Sequence, residues 1–191
     1  MVVRFHRLPG FRLKINEGDE IISAVITNGD NNILLVSQKG LSIRFHEKDA
    51  RPMGRTAAGV RGIRLTSGDR VVGVVVLSTD SSILTVTENG YGKRSPESEY
   101  RTQRRGGKGI IAIKASERNG LIIGAMQVVD EDDVMLIADS GKIIRMGMDH
   151  VRVIGRNTQG VRLINLQPGE KVVGMDQTAA DDEEEETNDE E

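Results

Sequence analysis

The chain has 191 residues and no cysteine, which excludes disulfides and thiolate-ligated metal sites. Its formal net charge of −3 hides a division: Asp181–Glu191 holds nine acids in eleven residues, and without it 20 acids face 26 Lys and Arg, a body of net +6. No apolar run approaches the ~20 residues of a bilayer span, and Met1-Val2-Val3-Arg4-Phe5-His6 lacks the apolar core of a secretory signal, so a soluble cytoplasmic protein with no membrane partner is expected.

In chain order, residues 1–31 read as the rear of a repeat unit, with Asn16-Glu17-Gly18-Asp19 standing where Ser67-Gly68-Asp69 stands later. Three fuller units follow, at 32–80, 81–131 and 132–178. Ile33-Leu34-Leu35-Val36-Ser37-Gln38-Lys39-Gly40 aligns with Ile83-Leu84-Thr85-Val86-Thr87-Glu88-Asn89-Gly90 and with Val134-Met135-Leu136-Ile137-Ala138-Asp139-Ser140-Gly141, at offsets of 50 and 51 residues. Gly59, Gly109 and Gly160 keep nearly the same spacing, as do Gly73, Gly124 and Gly174. Three registers held together mark a repeat architecture.

Each unit opens with a short branched apolar run, a Lys-Gly, Asn-Gly or Ser-Gly turn and a second run, which predicts a β-hairpin. A longer polar segment leads to Gly59-Val60-Arg61-Gly62-Ile63 or Gly160-Val161-Arg162-Leu163-Ile164. A closing run such as Val71-Val72-Gly73-Val74-Val75-Val76 completes the unit. The prediction is an all-β fold of roughly three and a half propeller-like blades of about four strands, forming an open or partial wheel. Residues 179–191, a block of like charge, are expected to be a disordered tail that folds back and competes for the basic body.

Cations recur in register. Arg44, Arg94 and Arg145 lie four residues past the hairpin glycine; Arg55, Arg105 and Arg156 lie four before the second marker glycine; Arg61 and Arg162 lie two after it. Stacked blades turn such periodicity into a basic stripe along one rim, suited to double-stranded DNA, which carries about one charge per 1.7 Å. One segment concentrates the pattern: Gln103-Arg104-Arg105-Gly106-Gly107-Lys108-Gly109 holds three cations and three glycines with no acid and no apolar side chain. Such a loop suits a phosphate backbone better than a core. The absence of Trp, with three Phe, argues against stacking on single strands.

These residues resemble a known family. QRRGGKG at 103–109 is similar to the signature box of the C-terminal domain of the bacterial DNA gyrase A protein. The ~50-residue units, including Glu88-Asn89-Gly90-Tyr91-Gly92-Lys93-Arg94 and Gly155-Arg156-Asn157-Thr158-Gln159-Gly160, resemble the blades of that domain over residues 1–178. The resemblance implies a β-pinwheel with strands exchanged between neighbouring blades and DNA wrapped on the outer rim. It also implies a non-catalytic part of a type II, ATP-hydrolysing topoisomerase, with the rest of gyrase A and the gyrase B protein as partners. The family domain has six blades with the box in the first; here about half that number is present, with the box in the second complete unit. The corresponding domain of topoisomerase IV and a bladed protein-interaction scaffold are the alternative readings.

No cofactor or metal is expected. Gly107-Lys108-Gly109 fails the P-loop pattern, with Thr102 and Gly109 at its decisive positions. His6, His46 and His150 lack ligand spacing. Tyr91 and Tyr100, the two candidates for a DNA-cleaving nucleophile, lack the acids that would hold Mg²⁺.

Overall fold

The structure is a computed structural model that describes residues 17–53 and 59–178. Most of the expected partial first blade, Arg55 and the acidic tail lie outside the described residues.

Strand β1 (Asn32–Ser37) turns through Gln38-Lys39-Gly40 into β2 (Leu41–His46), antiparallel with Leu35 opposite Ile43. The same hairpin recurs as β4 (Ser82–Thr87) with β5 (Tyr91–Pro96), and as β8 (Asp133–Ala138) with β9 (Ile143–Gly147). All three close alike: Gly40 N–H donates to Ser37 O, Gly90 N–H to Thr87 O and Gly141 N–H to Ala138 O, at 3.0–3.1 Å. Longer strands β3 (Val71–Leu77), β7 (Ile122–Val128) and β11 (Val172–Thr178) run along β1, β4 and β8.

The sheets do not coincide with the sequence units. Two-residue strand β6 (Ile110–Ile111) belongs by sequence to the second unit but pairs with β2, so the first sheet has the order β3-β1-β2-β6. Likewise β10 (Val161–Arg162) of the third unit pairs with β5 to give β10-β5-β4-β7. The third sheet, β11-β8-β9, has three strands, and the outer edge of β9 is bare among the described residues. Four strands per blade was thus an accurate count for the first two sheets, but the fourth strand in each comes from the following unit. Residues 17–31 contain no strand, and Ile21, Ile22, Val25 and Ile26, aligned with Val71, Val72, Val75 and Val76 of β3, are exposed.

Period-two alternation places a core on each side of a sheet. Leu34 and Val36 of β1 face the second sheet, packing with Val75, Leu77, Ile83, Tyr100, Ile113 and Ile122. Their neighbours Ile33 and Leu35 face the other way, with Ile43, Phe45 and Ile63. The second and third sheets share Leu84, Val86, Val128, Val134, Leu136 and Met148. The sheets converge where β3 meets β7 and β7 meets β11. Small residues permit that approach: a Cβ on Gly73 would lie 3.3 Å from Ala125, and one on Gly124 would lie 2.9 Å from Met175 Sδ. The opposite ends of the sheets, β2 with β6 and β5 with β10, form the outer rim. No helix among the described residues is long and apolar enough to cross a membrane.

The exchanged strands sit very close to their hosts. Gly160, at φ +79°, leads into β10, and a Cβ there would lie 2.6 Å from the Gly92 carbonyl oxygen. Gly141, at φ +85°, has no neighbour within 4 Å of the equivalent point. Gly141→Ala should therefore cost only the left-handed backbone term, about 1–2 kcal/mol. Gly160→Ala should cost distinctly more in urea unfolding, because β10 must lift from β5; equal costs would refute the close docking.

Candidate nucleic-acid interface

The seven-residue box lies on the outer rim of the first sheet. After a 3-10 turn at Glu97–Glu99 the chain meets β2 in a parallel bridge, Arg44 to Thr102, and Gln103 N–H donates to Arg44 O at 2.8 Å. It then bulges away from the sheet and returns antiparallel as β6, with Ala112 N–H donating to Gly40 O. Within the bulge, Gly106 N–H donates to Gly62 O at 2.5 Å and Arg64 N–H donates to Gly107 O at 2.8 Å. Gly109 must be glycine, since a Cβ would run into the Ser42 carbonyl. The Gly106 N–H and the Gly107 carbonyl are therefore committed to residues 62–64, and the Gly106 amide is not offered to anions.

The three cations of the box divide into two roles. Arg105 is half-buried and acts as a clasp, donating from Nε to Asp49 O at 2.7 Å and from Nη1 to Arg61 O at 3.1 Å. Arg104 and Lys108 are exposed and take no part in mooring the loop. The same contacts that hold the box bring exposed Arg61 and Arg64 alongside it. Arg64 was not among the residues singled out from the sequence; the carbonyls of residues 61–62 and the Arg64 amide, docked on the box, place it there.

The equivalent loop of the third unit, 154–160, has the same scaffold. Ile154 N–H donates to Arg94 O at 2.9 Å, and Arg156 donates from Nη1 to Ile111 O at 2.8 Å and from Nε to Glu99 O at 3.2 Å. Arg105 and Arg156 thus grip carbonyls fifty residues apart in the repeat. The outward positions differ, since Arg104 and Lys108 are replaced by Gly155 and Gln159. Charge on the first loop therefore occupies the two sites that the scaffold leaves facing solvent.

The stripe expected from Arg44, Arg94 and Arg145 does not form. Arg44 is largely buried, its Nη1 held by Glu97 Oε2 at 2.6 Å and by the Glu97 and Tyr100 carbonyls. Arg94 is buried, donating from Nε to Val151 O at 2.8 Å and pairing with Asp130 at 2.5 Å. In both cases the next unit covers the host strand. Arg145, on the uncovered strand β9, is about half exposed and pairs with Asp133 at 2.6 Å. Arg162 is exposed but donates to the Tyr91 hydroxyl at 2.8 Å.

Of the two tyrosines, Tyr100 is closed to any substrate. Tyr100 is fully buried and its hydroxyl is pushed up to about 12 by that burial. Tyr91 is nearly covered, with Arg118 and Arg162 over its ring. Among the described residues, no three His, Asp or Glu side chains gather as a metal site.

Lys93 is a buried cation at the position that Ile43 and Ile144 fill in the other units. Its Nζ donates to Gly155 O at 2.7 Å, pinning the 154–160 loop, and burial pulls its pKa down to about 7. In the unfolded chain a lysine titrates near 10.4. Between these values the unfolded state holds a proton that the folded state lacks, so wild-type stability climbs with pH across about 7–10. Lys93→Ile should melt higher than wild type at pH 6, with the gap closing toward pH 10 in paired thermal melts; a gap independent of pH would contradict the assignment.

Comparison with known proteins gives one family. A family model described as the DNA gyrase C-terminal domain, beta-propeller, matches residues 9–28, 31–78, 81–128 and 132–179. The DNA gyrase A protein of Klebsiella oxytoca is 46% identical over 174 residues, covering 90% of this chain and 20% of that protein. Its counterpart from Chlamydia pneumoniae is 41% identical over 183 residues, covering 94% and 22%. The chain thus spans about a fifth of the length of these relatives. A solved C-terminal domain of DNA topoisomerase IV superposes with a TM-score of 0.81 at 24% identity, covering 86% of this chain and 52% of that one. A solved DNA gyrase A C-terminal domain superposes at 0.80 with 28% identity, covering 88% and 57%. The first likeness shows the shared bladed fold; the family match across every unit, with the gyrase A proteins above 40% identity, places the chain in the DNA gyrase A C-terminal domain family.

Proposed function

We propose that this chain is the DNA-wrapping, non-catalytic part of a gyrase A protein, and that its outer rim binds duplex DNA without sequence specificity and bends it. The observation that carries the reading is the moored box loop, whose unpaired outward positions are both cationic while those of its repeat equivalent are neutral. Arg104 and Lys108, with Arg61 and Arg64 beside them, take the phosphates. Arg105 and Arg156 keep the loops in place, and Arg44 and Arg94 tie each blade to the next. Strand breakage and ATP hydrolysis belong to the remainder of gyrase A and to gyrase B, with which this domain works in the bacterial cytoplasm.

Bending 20–30 bp of duplex by 40–90° costs on the order of 1–6 kcal/mol, so a single loop is insufficient and contacts must continue along the rim. Rigidity matters equally: a loop fixed by main-chain hydrogen bonds presents its cations without a further ordering cost. A protein-interaction scaffold would instead favour an acidic protein partner and tolerate a neutral box.

The test is the salt dependence of duplex affinity. Arg104→Ala with Lys108→Ala should weaken binding to unrelated sequences alike and lower the slope of log K against log salt by about 1.8, or 0.9 for each lost phosphate contact. Thermal stability should be unaffected, since neither side chain moors the loop. A wild-type slope in the double variant would remove the box from the contact surface.

A further inference from the structure

We infer that a second anion site lies one sheet farther along the rim, in the cleft between Tyr91 and the turn at residues 166–170, and that it takes a single phosphodiester of the duplex. This inference rests on the duplex-binding reading above. The cleft, of about 250 Å³, is lined by Asn89, Tyr91, Arg118, Arg162, Leu166 and Glu170, among others. Its outer wall is β10, the exchanged strand of the second sheet, as β6 is of the first.

Two guanidinium groups converge on one phenol. Arg162 stands opposite Tyr91 in the β10–β5 register, and its Nη2 donates to the hydroxyl at 2.8 Å. The guanidinium carbons of Arg118 and Arg162 lie 4.9 and 5.3 Å from the ring centre, within cation–π range. Their other partners are neutral: Gln159 Oε1 for Arg118 at 3.4 Å and Asn165 Oδ1 for Arg162 at 3.5 Å. Both cations hold the Tyr91 hydroxyl below its usual range, Arg162 foremost. Like charges gathered on one neutral phenol repel, and an anion placed there relieves the repulsion.

The charge of the cleft and its place on the rim select the ligand. Glu170 also lines the cleft, its carboxylate accepting from the Ser140 hydroxyl and from Gln167 N–H. Two guanidiniums face one carboxylate that Lys142 also approaches, so the cleft keeps a positive charge, and on a duplex-binding rim the anion it meets is a backbone diester. Ile164 and Leu166 supply apolar wall for a deoxyribose. The site is peculiar to this sheet, because the same register position in the first sheet pairs Leu41 with Ile111.

Arg118→Gln is the decisive variant, since Arg118 is exposed and its guanidinium holds no main-chain carbonyl. In the full chain it should weaken duplex binding and lower the salt slope by about 0.9, additively with the Arg104→Ala and Lys108→Ala pair. In wild type, the Nε–Hε resonances of Arg118 and Arg162 should shift on adding duplex and not on adding inorganic phosphate. An unchanged slope in Arg118→Gln, with box dependence intact, would overturn the cleft and leave the proposed function standing. Loss of all duplex binding by wild type would overturn both. Resonances that move with inorganic phosphate alone would overturn the diester assignment.

Discussion

The outer edge of each hairpin carries backbone groups that must find partners, and in the first two sheets the partner is supplied by the following unit. Strand β2 receives β6 and β5 receives β10. This exchange, rather than side-chain contact alone, makes the blades one body: a unit cannot complete its sheet without its successor, and the successor cannot leave without exposing a strand edge. The cores follow the same logic, because the alternate residues of β1 and β4 bury into different clusters on the two faces of their sheets. Where the exchange stops, at β9, the effect is visible in Ile143, which is 58% exposed although it lies in a strand.

Exchange also creates the rim. To reach the previous sheet the chain must cross its outer edge as a loop, and that loop has to be held. The solution is the same at both crossings: one main-chain hydrogen bond to the carbonyl of Arg44 or Arg94, and one arginine, Arg105 or Arg156, gripping two carbonyls. A charge-assisted contact to carbonyls is stronger than a neutral one, and a guanidinium donates in several directions at once. Arginine at these positions is therefore explained by architecture. Function can enter only at the positions the scaffold leaves outward, and the two crossings differ there.

Repeats preserve positions and not environments. Arg44, Arg94 and Arg145 are equivalent in register, yet the first two are covered by the next unit and the third is not. Lys93 sits where Ile43 and Ile144 sit, and it survives burial because its amine reaches the Gly155 carbonyl. Tyr91 and Arg162 face each other where the first sheet has Leu41 and Ile111. Each departure from the repeat average gives one blade contacts that its neighbours lack.

Much of this could be read from the chain itself. Offsets of 50 and 51 residues, alternation within short runs and a glycine at each turn are local signals, set by the period of a strand and by the backbone conformation of a tight turn. They specify β-hairpins in tandem, and the unusual composition of residues 103–109 singles out one crossing loop. The host of each exchanged strand was beyond local reading, since Ile110 and Ser42 are 68 residues apart and meet only once sheets stack. For the same reason the sequence could not sort clasp from contact. Arg104 and Arg105 are neighbours of identical chemistry, and the carbonyls of Asp49 and Arg61, positioned by tertiary packing, decide that one is bound and the other faces solvent.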